Sequence, residues 1–492
     1  MSNQEENSLK KVINLWSGIA VVFGNIVGSG IFISPKGVLL HSGSVGLSLI
    51  FWALCGVISM LGALTFAELG TLIHKSGGMF AYIQAAFGNL IAFIYLWATL
   101  VIILPTTTAI IGQLCGQYIL QPIFSDCQVP DLPPKLVAAC AIALLVVINS
   151  LKVEYATRIQ NFFSILKLLS LACIFIGGLV NLCFGHTENL QNGFAKSTTS
   201  PSEIALALYV GMFSYGGWYT LNFLTEEMEK PEKNLPKAIV IGLTMVTAIY
   251  ILTNISYFSV LSADELLKSD AVAMVNTTSY TIIAFNKLMD FFLHKKSFME
   301  KLLPKAKLLI SIAVACSVFG SLNGLILASS RVYFVGARDG LLPNIVSCLH
   351  DKRRTPLPAV TLQGLLSIIM LFAGDIFKLI NYVIFIDSVA FFATTLALFF
   401  LRRKMPDAPR PIKVPIIIPI IFLIICVFLI FVPIIVKPDT VLVSIIVLAL
   451  AVPAYIIGVM WEKKPKIYKV YMTNLTIFLQ KLFLLCPQKN TS

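Results

Sequence analysis

The chain has 492 residues, 57% of them hydrophobic and only 12% charged, where a soluble domain carries roughly 45–50% apolar and about 25% charged residues. A soluble fold of this size cannot hide so much apolar surface, so lipid must be the solvent for much of it. The net charge of +13 raises nucleic acid as a partner, but its distribution follows membrane topology, and no nucleic-acid role is expected.

The first residues, MSNQEENSLKK, are polar, and no charged-then-apolar segment with a small-residue cleavage site follows, so no removable signal peptide is expected. Apolar stretches long enough to cross a bilayer, about 20 residues, are predicted at 14–40, 46–73, 89–121, 135–151, 158–183, 203–228, 236–261, 306–334, 358–375, 378–401, 415–436 and 440–461. The fourth is short, and only Gly374 and Asp375 part the ninth from the tenth. Twelve spans put both termini on one side. With that side cytoplasmic, the inner segments hold most lysines and arginines, among them Lys10, Lys11, Arg353, Arg402 and Arg403. The short outer loops hold Lys135, Lys196 and Lys437, which is the positive-inside asymmetry. The outer segment 262–305 is also basic, but long loops weigh little in that rule; it carries the N-glycosylation acceptor pattern Asn276-Thr277-Thr278.

Two spans are interrupted by glycine. The first contains Gly24, Gly28 and Gly30 in GNIVGSGIF; the sixth carries FSYGGW, with Gly216 and Gly217 at mid-membrane. Each glycine weakens a helix by roughly 1 kcal/mol, and backbone freed at that depth is tolerated only against protein or a water-filled cavity. Breaks at matching positions of two halves point to a transporter site. Their places in the first and sixth spans fit two five-helix repeats followed by two extra helices. A zwitterion matches what such breaks offer: its carboxylate would meet amides near Ser29, Gly30 and Ile31, its ammonium carbonyls near Ile26, Val27, Phe213 and Ser214. The alternative reading is close helix packing of the small-xxx-small kind, a spacing that Gly24 and Gly28 fit.

Ionisable residues within spans are costly and usually functional. Glu68 lies near the inner end of the second span, where a structural ion pair competes with a transport role. Lys167 lies about nine residues into the fifth, roughly 13 Å deep at 1.5 Å per residue, from where it can also snorkel to the surface. Asp387 in the tenth span can pair with a lysine or arginine substrate, or else hydrogen-bond to the hydroxyls of Ser388, Thr394 and Thr395. The five histidines fall in loops or at span ends, and no HExxH, CxxC or GxSxG pattern appears in a supporting context. An enzyme is therefore not expected, nor any metal or cofactor. After Trp461, Tyr468, Tyr471, Leu475, Phe478, Leu479 and Leu482 stand among lysines, the pattern of a helix lying on the inner membrane face.

The long motifs GSGIFISPKGVL (28–39), FSYGGWYTLNFLTEEM (213–228), GSLNGLILASSRVYFVGARDGLLP (320–343) and RPIKVP (410–415) resemble those of the light subunits of heteromeric amino acid transporters. These form the L-type group of the amino acid–polyamine–organocation superfamily. The resemblance covers nearly the whole chain. It implies an all-α membrane protein of twelve transmembrane helices, two inverted five-helix repeats (LeuT-like) plus two C-terminal helices, with helices one and six unwound mid-membrane. The domains expected are a cytoplasmic tail 1–13, a core 14–401 in repeats 14–183 and 203–401, helices eleven and twelve in 402–461, and a cytoplasmic tail 462–492. It also implies a plasma-membrane exchanger of neutral, especially large neutral, L-amino acids. Lys167 would stand where sodium-coupled relatives hold sodium, making transport sodium-independent. Phe213 would be a lid over the substrate, with Trp218 flanking the same break as a second gating candidate, and Ile102 and Ile103 near the pocket. Cys127, in the outer loop FSDCQVPDLPP, matches the cysteine that bonds a single-span glycoprotein heavy subunit; a lone thiol or an internal disulfide is the alternative. At Asp387, Tyr219 and Thr220 the sequence departs from the family pattern. The acid at Asp387 would widen the range to cationic amino acids. The alternative on the same fold is a sodium- or proton-coupled symporter.

Overall fold

The structure is a computed structural model that describes residues 13–28, 30–73, 78–120, 123–124, 130–151, 153–185, 187–191, 193–268, 303–338, 340–351, 353, 355–461 and 466–486. It is almost wholly helical. A helix closes its backbone hydrogen bonds within itself, which is what a chain of this apolarity needs in lipid.

Among the described residues, eight helical stretches are long and apolar enough to cross a membrane. They are α3 (Val45–Leu72), α5 (Asn89–Leu120), α6 (Leu132–Leu151), and the part Ile165–Cys183 of α7 (Val153–Cys183). The others are α9 (Pro231–Val260), α12 (Ile376–Lys404), α13 (Ile417–Val436) and α14 (Val441–Met460). A bent pair, α1 (Leu15–Ile26) and α2 (Gly30–Ser42), makes a ninth if it is one span. Helices also cover the remaining predicted spans: α8 (Pro201–Ser214), α10 (Leu303–Arg338) and the shorter α11 (Leu357–Leu371). The ninth and tenth predicted spans part where expected, for Asp375 caps α12, its Oδ1 accepting from the Lys378 N–H at 3.1 Å.

The described residues fall into two contact units. The first lies within Met1–Ala92, Gly178–Val272 and Ile384–Pro438. It holds α1, α2, α3, the short helix α4 (Met79–Phe87), α8, α9, most of α12, and α13. Helix α4 lies between two predicted spans. Met79, Tyr82, Ile83 and Ala86 recur at helical spacing and are buried, and Tyr82 and Ala86 pack with Leu69, Leu398 and Leu401. Gly88, at φ +87°, ends it.

The second unit lies within Phe93–Gly177, Ala273–Val383 and Asp439–Ser492. It holds most of α5, α6, most of α7, α10, α11, α14 and the C-terminal helix α15 (Lys466–Phe483). Helix α5 carries a π-turn at Thr99–Ile103, directly before Pro105, which lacks the N–H an α-turn requires. Residues Leu349–His350 and Leu485–Cys486 form a two-residue antiparallel ladder.

Candidate substrate site at two helix breaks

The first break lies between the end of α1 at Ile26 and the start of α2 at Gly30, with a bend of 53°. Val27 closes α1 in an extended conformation, its N–H still bonded to the Phe23 carbonyl. Helix α2 begins at Gly30, so the amides of its first turn, including Gly30 and Ile31, have no acceptor within the helix. Ser29 lies outside the described residues. The second break follows Ser214: residues 215–219 form turns, and 220–227 run on as a 3₁₀ segment. Gly217 sits there at φ +94°, a backbone angle open to glycine.

The two breaks are stitched to each other. A Cβ on Gly30 would stand 2.6 Å from the Ser214 Cα, so only glycine lets α2 approach α8 this closely. Ser214 Oγ donates to Ser34 Oγ at 2.6 Å, and Ser34 Oγ to the Val210 carbonyl at 2.9 Å. Asn25 Nδ2 donates to Thr220 Oγ1 at 2.9 Å. From α9, Tyr250 Oη lies 2.8 Å from the Ile26 carbonyl and 3.0 Å from that of Ser214. One phenol therefore reaches the carbonyl ends of both broken helices. By contrast a Cβ on Gly24 would meet nothing within 4 Å among the described residues, and one on Gly28 only the Ile26 carbonyl at 3.7 Å. These two glycines mark the break rather than a close helix contact.

Ile26, Val27, Gly30, Ile31, Phe213, Ser214 and Gly216 thus stand at the two joined breaks, with Ile26, Val27, Ile31 and Ser214 buried and Phe213 half-buried. Trp218, 1% exposed, is held by the rings of Phe66, Phe391, Phe422 and Tyr219 at centroid distances of 5.0, 5.2, 6.3 and 5.4 Å. Beyond Gly216 a small cavity opens, walled by Met212, Trp218, Tyr219, Phe391, Phe422 and Cys426, with Asp387 on its surface. Asp387 is 7% exposed, and its Oδ1 has no hydrogen-bond partner among the described residues. The hydroxyls expected to bond it are turned elsewhere: Ser388, Thr394 and Thr395 donate to the carbonyls of Ile384, Ala390 and Phe391, four residues back on their own helix.

Glu68, fully buried, is held in an ion pair. Arg402 donates to it twice, at 2.9 and 2.6 Å, and the Val414 N–H donates at 2.8 Å. Lys167 lies in the second unit on α7 and is 7% exposed; Ile102 and Ile103 are buried there in the π-turn. Cys127 and Asn276 lie outside the described residues. No spacing in the sequence singles out Tyr250, Ser34 or Asn25, each of which shares its helix with other polar residues.

The family model described as amino acid permease matches residues 13–460. The chain belongs to the amino acid permease family. It is 40% identical over 487 residues to the cystine/glutamate transporter of Homo sapiens, covering 99% of this chain and 93% of that one. To the large neutral amino acids transporter small subunit 2 of Mus musculus it is 41% identical over 489 residues, 99% of this chain and 88% of the relative. The Asc-type amino acid transporter 1 of Mus musculus is 41% identical over 489 residues, 98% and 88%. The resemblance read from the motifs is thereby borne out, and a permease family of transporters excludes the enzymatic alternative.

Proposed function

We propose that this permease is a sodium-independent amino acid exchanger that works by alternating access as the light subunit of a disulfide-linked heterodimer. The observation carrying this reading is the pair of broken helices joined at Gly30, Ser214 and Tyr250. The first-turn amides of α2 carry the positive end of a helix dipole and suit a carboxylate; the carbonyls ending α1 and α8 suit an ammonium. A free amino acid presents both groups on one carbon. Its side chain would then extend past Gly216 toward Asp387, with Phe213 as lid and Trp218 as the fixed wall behind it.

The twelve-span arrangement of inverted repeats, the cytoplasmic termini, Lys167 as the stand-in for sodium, and Cys127 as the link to a single-span glycoprotein at the plasma membrane belong to the same proposal. They are supported by 40–41% identity to transporters, one named as a small subunit. The cavity wall is largely apolar, which favours large neutral side chains, and Asp387, whose Oδ1 has no hydrogen-bond partner among the described residues, favours a cationic end. A second reading rests on the cystine/glutamate relative, which admits acidic cargo.

Purified heterodimer in vesicles loaded with unlabelled leucine decides among these. Labelled leucine should enter with or without external sodium and only against internal amino acid. Labelled arginine and glutamate then set the range. Entry that needs no internal amino acid, or that fails in choline medium, would establish the symporter instead.

A further inference from the structure

Asp387 poses a charge problem that the carrier reading leaves open. A carboxylate taken out of water and left without a counter-charge is costly, yet among the described residues Oδ1 has no hydrogen-bond partner, and the side chain is buried against the cavity. None of the described walls supplies a counter-charge. Helix α3 contributes Ile58; α8 contributes Met212; the second break contributes Gly216, Trp218 and Tyr219. Helix α12 itself adds Ile384, Ser388 and Phe391, and α13 adds Phe422, Cys426 and Leu429. The titratable groups among them are Tyr219 and Cys426, both neutral in their ordinary state, and no lining residue is cationic. Tyr209, beside α13, donates its phenol to the Leu429 carbonyl and supplies no charge. The nearest cations on the same helix are Lys378, nine residues back and roughly 13 Å away at 1.5 Å per residue, and Arg402, fifteen residues on and engaged by Glu68.

Resting on the carrier reading, we infer that Asp387 is a proton-binding site whose carboxyl must be protonated before a neutral or acidic side chain can occupy the cavity beyond Gly216. The proton comes from water on whichever side the site faces, is held on a carboxylate oxygen while the side chain fills the cavity, and returns to water when Asp387 ionises in the empty, hydrated site. No electrons move. Only a cationic side chain dispenses with the proton, because it brings the counter-charge itself. Asp387 therefore sets which charge classes the carrier accepts at a given pH: acid favours neutral and acidic cargo.

The test is the KM for external leucine, and for glutamate where it is carried, across roughly pH 5.5 to 9.5, a span of about four units. Purified heterodimer in vesicles with a clamped internal pH is used. The wild type should show a KM that rises with pH, by up to tenfold per unit on the alkaline side. Asp387→Asn should flatten that rise, and Asp387→Glu should keep it. A pH-independent wild-type KM overturns the inference whatever the variants do, and so does an equal slope in Asp387→Asn. Failure of the wild type to exchange any amino acid at any pH would instead remove the carrier reading beneath it.

Discussion

At the scale of single residues, the site depends on what is missing from Gly30 and what is shared at Tyr250. A methyl group at Gly30 would stand 2.6 Å from the Ser214 Cα and 2.8 Å from its Oγ, a distance at which backbone must move. Gly30→Ala should therefore cut exchange by more than tenfold, whereas Gly24→Ala, with open space around its Cβ, should leave exchange within about twofold; a helix gains rather than loses from alanine there. Initial-rate uptake normalised to surface protein distinguishes the two. Tyr250→Phe keeps the ring in its edge-on contact with Trp52, 5.5 Å between centroids, and removes only the hydroxyl. The carbonyls of Ile26 and Ser214 then lose one partner in common, a loss on the order of 1–2 kcal/mol. The expected outcome is a KM roughly tenfold higher at unchanged expression. An unaltered KM would mean that the phenol does not organise the breaks.

At the scale of elements, Glu68 joins three segments that the sequence separates widely. The C-terminal end of α3 carries the carboxylate, the end of α12 carries Arg402, and the loop before α13 brings Arg410 to 3.8 Å and the Val414 amide to 2.8 Å. Removing one partner of a buried pair leaves the others uncompensated and costs about 3 kcal/mol or more. Glu68→Gln should accordingly lower the thermal unfolding temperature in detergent by several degrees, and Arg402→Lys, which forfeits the two-pronged geometry, by less. If both variants melt with the wild type, the network contributes no stability. The same region shows what could be read in advance. Helix positions were legible because lipid demands long apolar runs, and the breaks because clustered glycine at mid-membrane frees backbone that lipid cannot satisfy. Glu68 was visible as an anomaly, but its partners stand more than 330 residues later and no local pattern announces them. The π-turn before Pro105 and the helix α4 were missed: a bulge leaves the apolar run unbroken, and nine residues are too few to register as a span. Asp387 was legible as a charge out of place, although whether neighbouring hydroxyls bonded it depended on rotamers that helical spacing does not determine.

At the scale of the whole molecule, sodium dependence and subunit linkage test the carrier reading. Lys167 is buried on α7, and a lysine held in a helix within the membrane is expensive unless its charge is used. If that ammonium stands in for sodium in the proposed exchanger, replacing sodium by choline should leave exchange unchanged, while Lys167→Ala should depress exchange more than tenfold without altering surface abundance. A variant that is inactive in choline but regains transport in sodium would be the strongest support, because it would show one cation substituting for another. Loss of wild-type exchange in choline would defeat the assignment. The link to the heavy subunit makes an independent demand. Of the ten cysteines, Cys55, Cys115 and Cys426 are buried within helices, where a thiol acts as a small apolar packing residue. Cys127 alone falls in a predicted outer loop, an oxidising space. On non-reducing gels of native membranes the chain should migrate as a heavier band that collapses on reduction, and Cys127→Ser should abolish that band. Exchange by Cys127→Ser protein that still reaches the surface would be expected to persist, since the breaks, Tyr250 and Asp387 all lie within one chain and need no residue from a partner.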